Sequence, residues 1–273
     1  MDKPQHIRAK EGEIAETVII SGDPSRVAQL SGLLRSRKVV NDYRGFLTYS
    51  GKYGGKTFTI ACHGIGGPSA AIAVEELAML GAKTIVRLGT CGGLKRQMKV
   101  GDLVIATGAG YLGGTLNHYF PNKKVTPKPD SGLTRLLAAA ANREGMKSYS
   151  GEVFSTDAFY TENRDFGAGP AGGSYIAVEM ECATIFGVGN FRGIKTAGVL
   201  IVSDNVLQKV PMADAKALTG QVARTGKMIL ECLAEAQSRV GHYAGRSPHS
   251  SQTAYRDQDR TRIHRNGFEP TWW

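Results

Sequence analysis

The chain has 273 residues, enough for a large core in one α/β domain, with ordinary apolar content and 35 glycines that suit many tight turns between strands and helices. Lysine and arginine outnumber aspartate and glutamate 34 to 24, a net charge of +10, but the basic residues are scattered without a dense run or an aromatic RNA-binding motif; a surface attractive to phosphate-sized anions is indicated and a nucleic-acid partner is not. No apolar run is long enough to span a membrane, Met1 to Glu16 is too polar for a secretory signal, and Cys62, Cys91, Cys182 and Cys232 are too dispersed for a zinc site or disulfide framework, so a soluble cytoplasmic protein with reduced, mostly buried thiols is expected.

In chain order, Thr17–Ile20 is a β-branched apolar run that predicts a buried strand, followed by a helical stretch over Ser25–Leu34 and a second strand over Thr57–Ala61. Pro68–Leu80 is the clearest helix: Pro68 occupies the first turn, Ile72, Leu77, Leu80 and several alanines form an apolar face, and Gly81 stops it. Strands at Thr84–Leu88 and Leu103–Ala106 come next, then helices at Ser131–Glu144 and Glu181–Phe191, a strand at Thr196–Val202 and a helix at Thr219–Gln237. This alternation predicts an α/β fold, a three-layer sandwich around a mixed β-sheet, without internal repeats. After Gln237 apolar periodicity stops, so residues 1–237 are expected to form the domain and 238–273, closing on Trp272–Trp273, a disordered or loosely docked polar tail.

Four segments carry chemistry. Gly22-Asp23-Pro24-Ser25-Arg26 leaves a strand and opens a helix, which lets backbone N–H groups and a guanidinium face one anion, although a turn with a surface arginine looks the same. Arg87 lies at the end of an apolar strand before Gly89-Thr90, where α/β proteins collect ligands, and a buried arginine requires an anion, either an internal carboxylate or a ligand. Glu179 and Glu181 flank Met180; they are either acids at a helix N-terminus or carboxylates able to accept from two vicinal ribose hydroxyls, with the thioether against the sugar. Ser203-Asp204 follows the run Gly198–Val202; the aspartate is either a turn cap or, if desolvated, an acid able to neutralise a departing purine at N7.

Together with Asn41-Asp42-Tyr43-Arg44-Gly45-Phe46 and His63-Gly64-Ile65-Gly66-Gly67-Pro68-Ser69, these segments occur in the order found in the hexameric purine nucleoside and uridine phosphorylases, over roughly Lys3 to Ala236. The chain is also similar to archaeal purine nucleoside and 5′-methylthioadenosine phosphorylases of that family. The resemblance implies a pentosyltransferase of purine salvage that uses inorganic phosphate to cleave the N-glycosidic bond of a purine nucleoside, giving free base and (deoxy)ribose 1-phosphate without a metal or organic cofactor. It implies that Gly22, Arg26, Arg87 and Thr90 hold phosphate, with Arg44 supplied by a neighbouring subunit. His6, from the same neighbour, would meet the ribose 5′ end. Met180 and Glu181 would grip the ribose, and Phe159, Val178 and Glu179 would flank the base. Ser203 and the catalytic Asp204 would face its imidazole edge. The implied assembly is a hexamer, a trimer of dimers with shared sites.

Uridine enzymes of the family read uracil with Gln and Arg; the matching positions here are Asn163 and Asp165, which favours a purine. The trio Arg26, Arg44 and Arg87 favours phosphorolysis over hydrolysis. Bacterial purine enzymes place an arginine after the catalytic aspartate where this chain has Ala217 or Leu218, leaving Lys209, Lys216 and Arg224 as substitutes. The loop Gly110–Phe120 is a candidate wall of the 5′ pocket. The alternatives are a 5′-methylthioadenosine phosphorylase, a uridine phosphorylase and, outside the family, a non-catalytic nucleotide- or RNA-binding protein.

Overall fold

A computed structural model describes residues 3–112, 114–123, 125–160 and 174–244. Among the described residues, nine strands form one mixed sheet: β1 (Thr17–Ser21), β2 (Arg35–Asn41), β3 (Thr48–Tyr53), β4 (Lys56–Cys62), β5 (Thr84–Gly93), β6 (Leu103–Tyr111), β7 (Ser148–Ser155), β8 (Ala177–Glu179) and β9 (Lys195–Asn205). Their spatial order is β2-β3-β4-β1-β5-β8-β7-β6-β9, and β9 pairs again with β5, so five strands close into a ring. The helices are α1 (Pro24–Ser31), α2 (Gly67–Met79), α3 (Thr115–Tyr119), α4 (Ser131–Arg143), α5 (Cys182–Arg192) and α6 (Thr219–Ala244).

The apolar runs are continuous because both sheet faces are covered. Val18, Ile20 and Ile85 point into a core built with α2 and α5, whereas Ile19, Val86 and Leu88 point into a second core built with α1, α4 and α6. Helix, sheet and helix therefore make the three expected layers. β1, β5 and β9 run parallel, with Arg87 level with Ile20 on one side and Gly198 on the other. Their carboxyl ends lie together, and the candidate site forms there.

Four strands, β2, β3, β7 and β8, and the short helix α3 go beyond the sequence reading. The helix expected to reach Leu34 stops at Ser31; Asp23 caps its start by accepting from the Ser25 N–H at 2.8 Å, and the chain re-enters the sheet at Arg35. The segment 110–120, expected as a loop, contains the end of β6 and the whole of α3. α6 continues past Gln237 to Ala244, and the tail beyond it lies outside the described residues. All four cysteines are buried free thiols, and among the described residues no helix is long and apolar enough to cross a membrane.

Candidate active site

β1 ends at Ser21, Gly22 turns the chain, and Arg26 projects from the first turn of α1, donating from Nη1 to Ser21 Oγ at 3.3 Å. A β-carbon on Gly22 would stand 2.8 Å from the Gly64 carbonyl oxygen and 3.3 Å from Cε1 of His63, so the first glycine turn packs directly on the segment after β4. On the neighbouring strand β5, Arg87 is 4% exposed. Its Nη2 lies 2.5 Å from Oε2 of Glu181 and 3.2 Å from Oε2 of Glu179, while Nη1 donates to Nε2 of His63 at 2.7 Å. The side chain folds back across its own strand: a β-carbon at Gly89 would be 2.6 Å from Cζ of Arg87, which is why a glycine stands there.

The anionic partners of Arg87 are thus internal carboxylates. β8 stops at Glu179 and α5 starts at Cys182, and in the intervening bend both acids turn toward the guanidinium. Glu179 Oε1 also accepts from Ser155 Oγ, and its Oε2 accepts from the N–H groups of Glu181 and Cys182, both at 2.9 Å. Its side chain has no exposure, so the carboxylate expected to flank the base is instead committed to Arg87 and to the start of α5. Glu181 takes the Gly66 N–H at 2.8 Å, which ties it to the N-terminus of α2.

The electrostatics follow from this crowding. Burial by itself disfavours the charged form of Arg87, but the Glu181 and Glu179 carboxylates outweigh it and raise its pKa. Arg26 has its pKa lowered, first by burial and then by the positive charge of Arg87. Burial raises Glu181 despite Arg87. His63 is fully buried; desolvation and then the Arg87 charge hold its pKa well below 6.5, so the ring is neutral, with Nε2 as acceptor.

The second half of the site lies at the ends of β5 and β9. Cys91 is level with Val202 but Gly92 with Asp204, so Ser203 is the extra residue of a β-bulge, a distortion that re-aims the following side chain. Ser203 Oγ donates to Oδ1 of Asp204 at 2.7 Å. Burial raises the pKa of Asp204, opposed by that hydrogen bond. A β-carbon on Gly92 would lie 3.0 Å from Oδ2 of Asp204 and 3.2 Å from Cγ1 of Val178, so the bare α-carbon lets Val178 and Asp204 converge.

Thr90 and Met180 are half-buried beside these groups in sequence. Phe159 is 58% exposed and packs edge-on to Tyr160, with ring centroids 5.0 Å apart, so it is not a core residue. His6 belongs to a well-anchored N-terminal segment: its Nδ1 lies 2.7 Å from Oε1 of Glu76. Arg44 is exposed on a 3₁₀ turn, Tyr43–Gly45, with a left-handed φ of 52°. Arg224 is committed elsewhere, donating from Nη2 to the Glu144 carbonyl at 2.5 Å, whereas Lys209 and Lys216 are exposed. Asn163 and Asp165 lie outside the described residues. Sequence reasoning gave no role to His63, Ser155 or Glu76; the first was visible only as a member of a glycine-rich segment.

The family model of the phosphorylase superfamily matches residues 16–235. A guanosine phosphorylase of Halorubrum lacusprofundi is 37% identical over 208 residues, 76% of this chain and 86% of the relative. A uridine phosphorylase of Thermococcus kodakarensis is 34% identical over 213 residues, 73% of this chain and 76% of that protein. The crystal structure of purine nucleoside phosphorylase from Toxoplasma gondii in complex with immucillin-H superposes with a TM-score of 0.78 at 29% identity, covering 88% of this chain and 98% of that one. The chain belongs to the phosphorylase superfamily, and within it to the nucleoside phosphorylases, which are pentosyltransferases.

Proposed function

We propose that this enzyme cleaves purine nucleosides with inorganic phosphate, giving the free purine and (deoxy)ribose 1-phosphate. The observation that carries the reading is the half-buried carboxyl of Asp204, aimed by the Ser203 bulge on β9, the strand next to β5, which bears Arg87 in its buried pair with Glu181 from the bend before α5. An acid for the leaving base and a cation–carboxylate pair for phosphate and sugar then stand on adjacent strands.

In this reading Gly22, Arg26, Arg87 and Thr90 hold phosphate, and Met180 and Glu181 hold the ribose. As the glycosidic bond stretches, positive charge grows at C1′ and negative charge on the purine. Asp204, protonated, delivers its proton to N7, and the bound phosphate attacks C1′ from the opposite face. Fixing phosphate between arginines removes much of the entropic barrier to that attack. Val178, Phe159 and Ser203 border the base. Glu179 serves as a positioning residue for Arg87 and α5, because its acceptor sites are already occupied within the protein. His6 and Arg44 act in the site of a neighbouring subunit, so the working form is an oligomer, a hexamer built as a trimer of dimers. Phosphate is the co-substrate, and neither metal nor organic cofactor enters the scheme.

The test is base release from inosine, guanosine, adenosine, 5′-methylthioadenosine and uridine, each with and without phosphate. Phosphate-dependent release from the purine nucleosides with uridine inert is the expected result. Preferential cleavage of uridine overturns the purine assignment, and release without phosphate overturns phosphorolysis.

A further inference from the structure

Glu76 is a carboxylate in the penultimate turn of α2 that the scheme above does not use. Its side chain is 8% exposed, yet it is ionised: burial opposes the charge, and the N–H groups of Ile7, His6 and Gln5 together with the His6 ring outweigh burial. Oε2 accepts from the backbone of Ile7 at 2.6 Å and His6 at 2.9 Å, and Oε1 accepts from Gln5 at 3.0 Å. Those bonds anchor the backbone of the N-terminal segment. The contact from His6 Nδ1 to Oε1 at 2.7 Å fixes in addition the imidazole ring, and because a carboxylate oxygen only accepts, it places a proton on Nδ1.

A second set of contacts acts on the same segment. The Phe46 ring stands 5.6 Å from the His6 ring at 58°, limiting its rotation. Asn41 accepts from the Arg8 N–H at 2.9 Å and donates to the Phe46 carbonyl at 2.6 Å, and the Arg8 guanidinium stacks 3.4 Å over the Tyr43 ring. The N-terminal segment and the turn bearing Arg44 are thereby one unit. α2 connects that unit to the protomer's own site: the Gly66 N–H at its start holds Glu181, and Glu76 lies ten residues on, about 15 Å along the helix.

We infer that Glu76 is a positioning residue for recognition of the sugar: by holding Nδ1 of His6 it presents Nε2 to the 5′ hydroxyl of a nucleoside bound in the neighbouring subunit. The inference rests on the proposed function and adds a residue that governs discrimination between nucleosides that carry a 5′ hydroxyl and those that lack it. Glu76 touches no substrate itself.

The readout is the ratio of kcat/KM for inosine to that for 5′-deoxyinosine. Glu76→Gln should lower this ratio about tenfold, the worth of one hydrogen bond to a charged or strongly polarised group. His6→Ala should lower it by a similar factor, and the double variant should fall no further, since the two residues act through one contact. A ratio unchanged by Glu76→Gln, whether both activities fall or neither does, overturns the inference. Wild-type protein with ¹⁵N-labelled histidine supplies a test that does not depend on the variant folding: His6 should carry a proton on Nδ1, and a ring protonated on Nε2 alone overturns the assignment. Failure of the wild type to release hypoxanthine from inosine with phosphate is a separate result, which removes the purine reading and this inference with it.

Discussion

Nη2 of Arg87 lies 2.5 Å from Oε2 of Glu181, so the side chain proposed for phosphate and the one proposed for ribose share a buried ion pair. A change at either residue is felt by the other through this one contact. Glu181→Gln should therefore change the KM for phosphate and the KM for nucleoside together. It should also cost about 3 kcal/mol in urea unfolding, the low end for breaking a buried pair, because Glu179 still faces the guanidinium. A shift confined to the nucleoside KM would separate the two sites.

His63 fixes the other edge of Arg87. With His63→Leu, Nη1 of Arg87 loses its acceptor, and a buried polar group left unpaired costs about 1–3 kcal/mol. His63→Gln, which can offer an oxygen near the Nε2 position, should recover part of that loss. The pH dependence has a definite sign. The native pKa is depressed below 6.5, so the unfolded state binds the proton more readily; this stability is present above pH 6.5 and is lost as the pH falls toward the native value. Unfolding curves for His63→Gln should lack that part of the acid-side decline.

Asp204→Asn should lower turnover of unactivated purine nucleosides by about 10²–10⁴-fold while leaving phosphate binding largely intact, as expected for loss of a general acid. In the wild type, kcat/KM for purines should fall as the pH rises through the elevated Asp204 pKa. Stability runs in the same direction: a raised native pKa stabilises the protein below the ordinary value of 3.8, and that contribution is lost as pH rises through the native value. Urea titrations at intervals across this range should show the decline in wild type and its absence in the variant.

Gly89→Ala places a β-carbon 2.6 Å from Cζ of Arg87. A flexible arginine tip would swing aside at little cost, but this one is held by two carboxylates and an imidazole. The substitution should destabilise the protein by about 1–3 kcal/mol and weaken phosphate binding measured by calorimetry. Wild-type phosphate affinity in the variant would show that the guanidinium position is not what phosphate reads.

Arg44→Ala and Asp204→Asn proteins, each nearly inactive, should regain activity when co-refolded, because mixed assemblies contain sites with both residues intact. Absence of recovery in mixtures whose subunits demonstrably exchange would place Arg44 in its own protomer's site.

The strands buried on both faces were legible as apolar runs, and Pro68 and Gly81 bracketed α2 almost to the residue. β2 was not legible because its first five residues, Arg35 to Val39, are exposed and carry no alternation, and β8 is only three residues long. In the site, Arg87 was expected where its strand ends but stands mid-strand, because β5 runs on through Gly89 and Thr90 to Gly93 in register with β9. Arg87, Glu181 and Asp204 all stood out by residue type, beside apolar runs or a helix start. Their arrangement did not: whether a buried arginine pairs with a ligand or a carboxylate depends on how the bend between β8 and α5 turns, and the Ser203 bulge is a property of pairing between β5 and β9. Glu76 was hidden for a related reason. In Glu75-Glu76-Leu77 it reads as an ordinary helix acid, and its partners lie about seventy residues earlier in the chain.

Ring closure through β5 and β9 has a consequence for how copies of this molecule meet. It uses up one margin of the sheet, and the other ends in β2, where Arg35, Arg37 and Lys38 are exposed in close succession. Two such margins brought together would set like charges against each other, which disfavours strand-to-strand aggregation and fibrillar stacking.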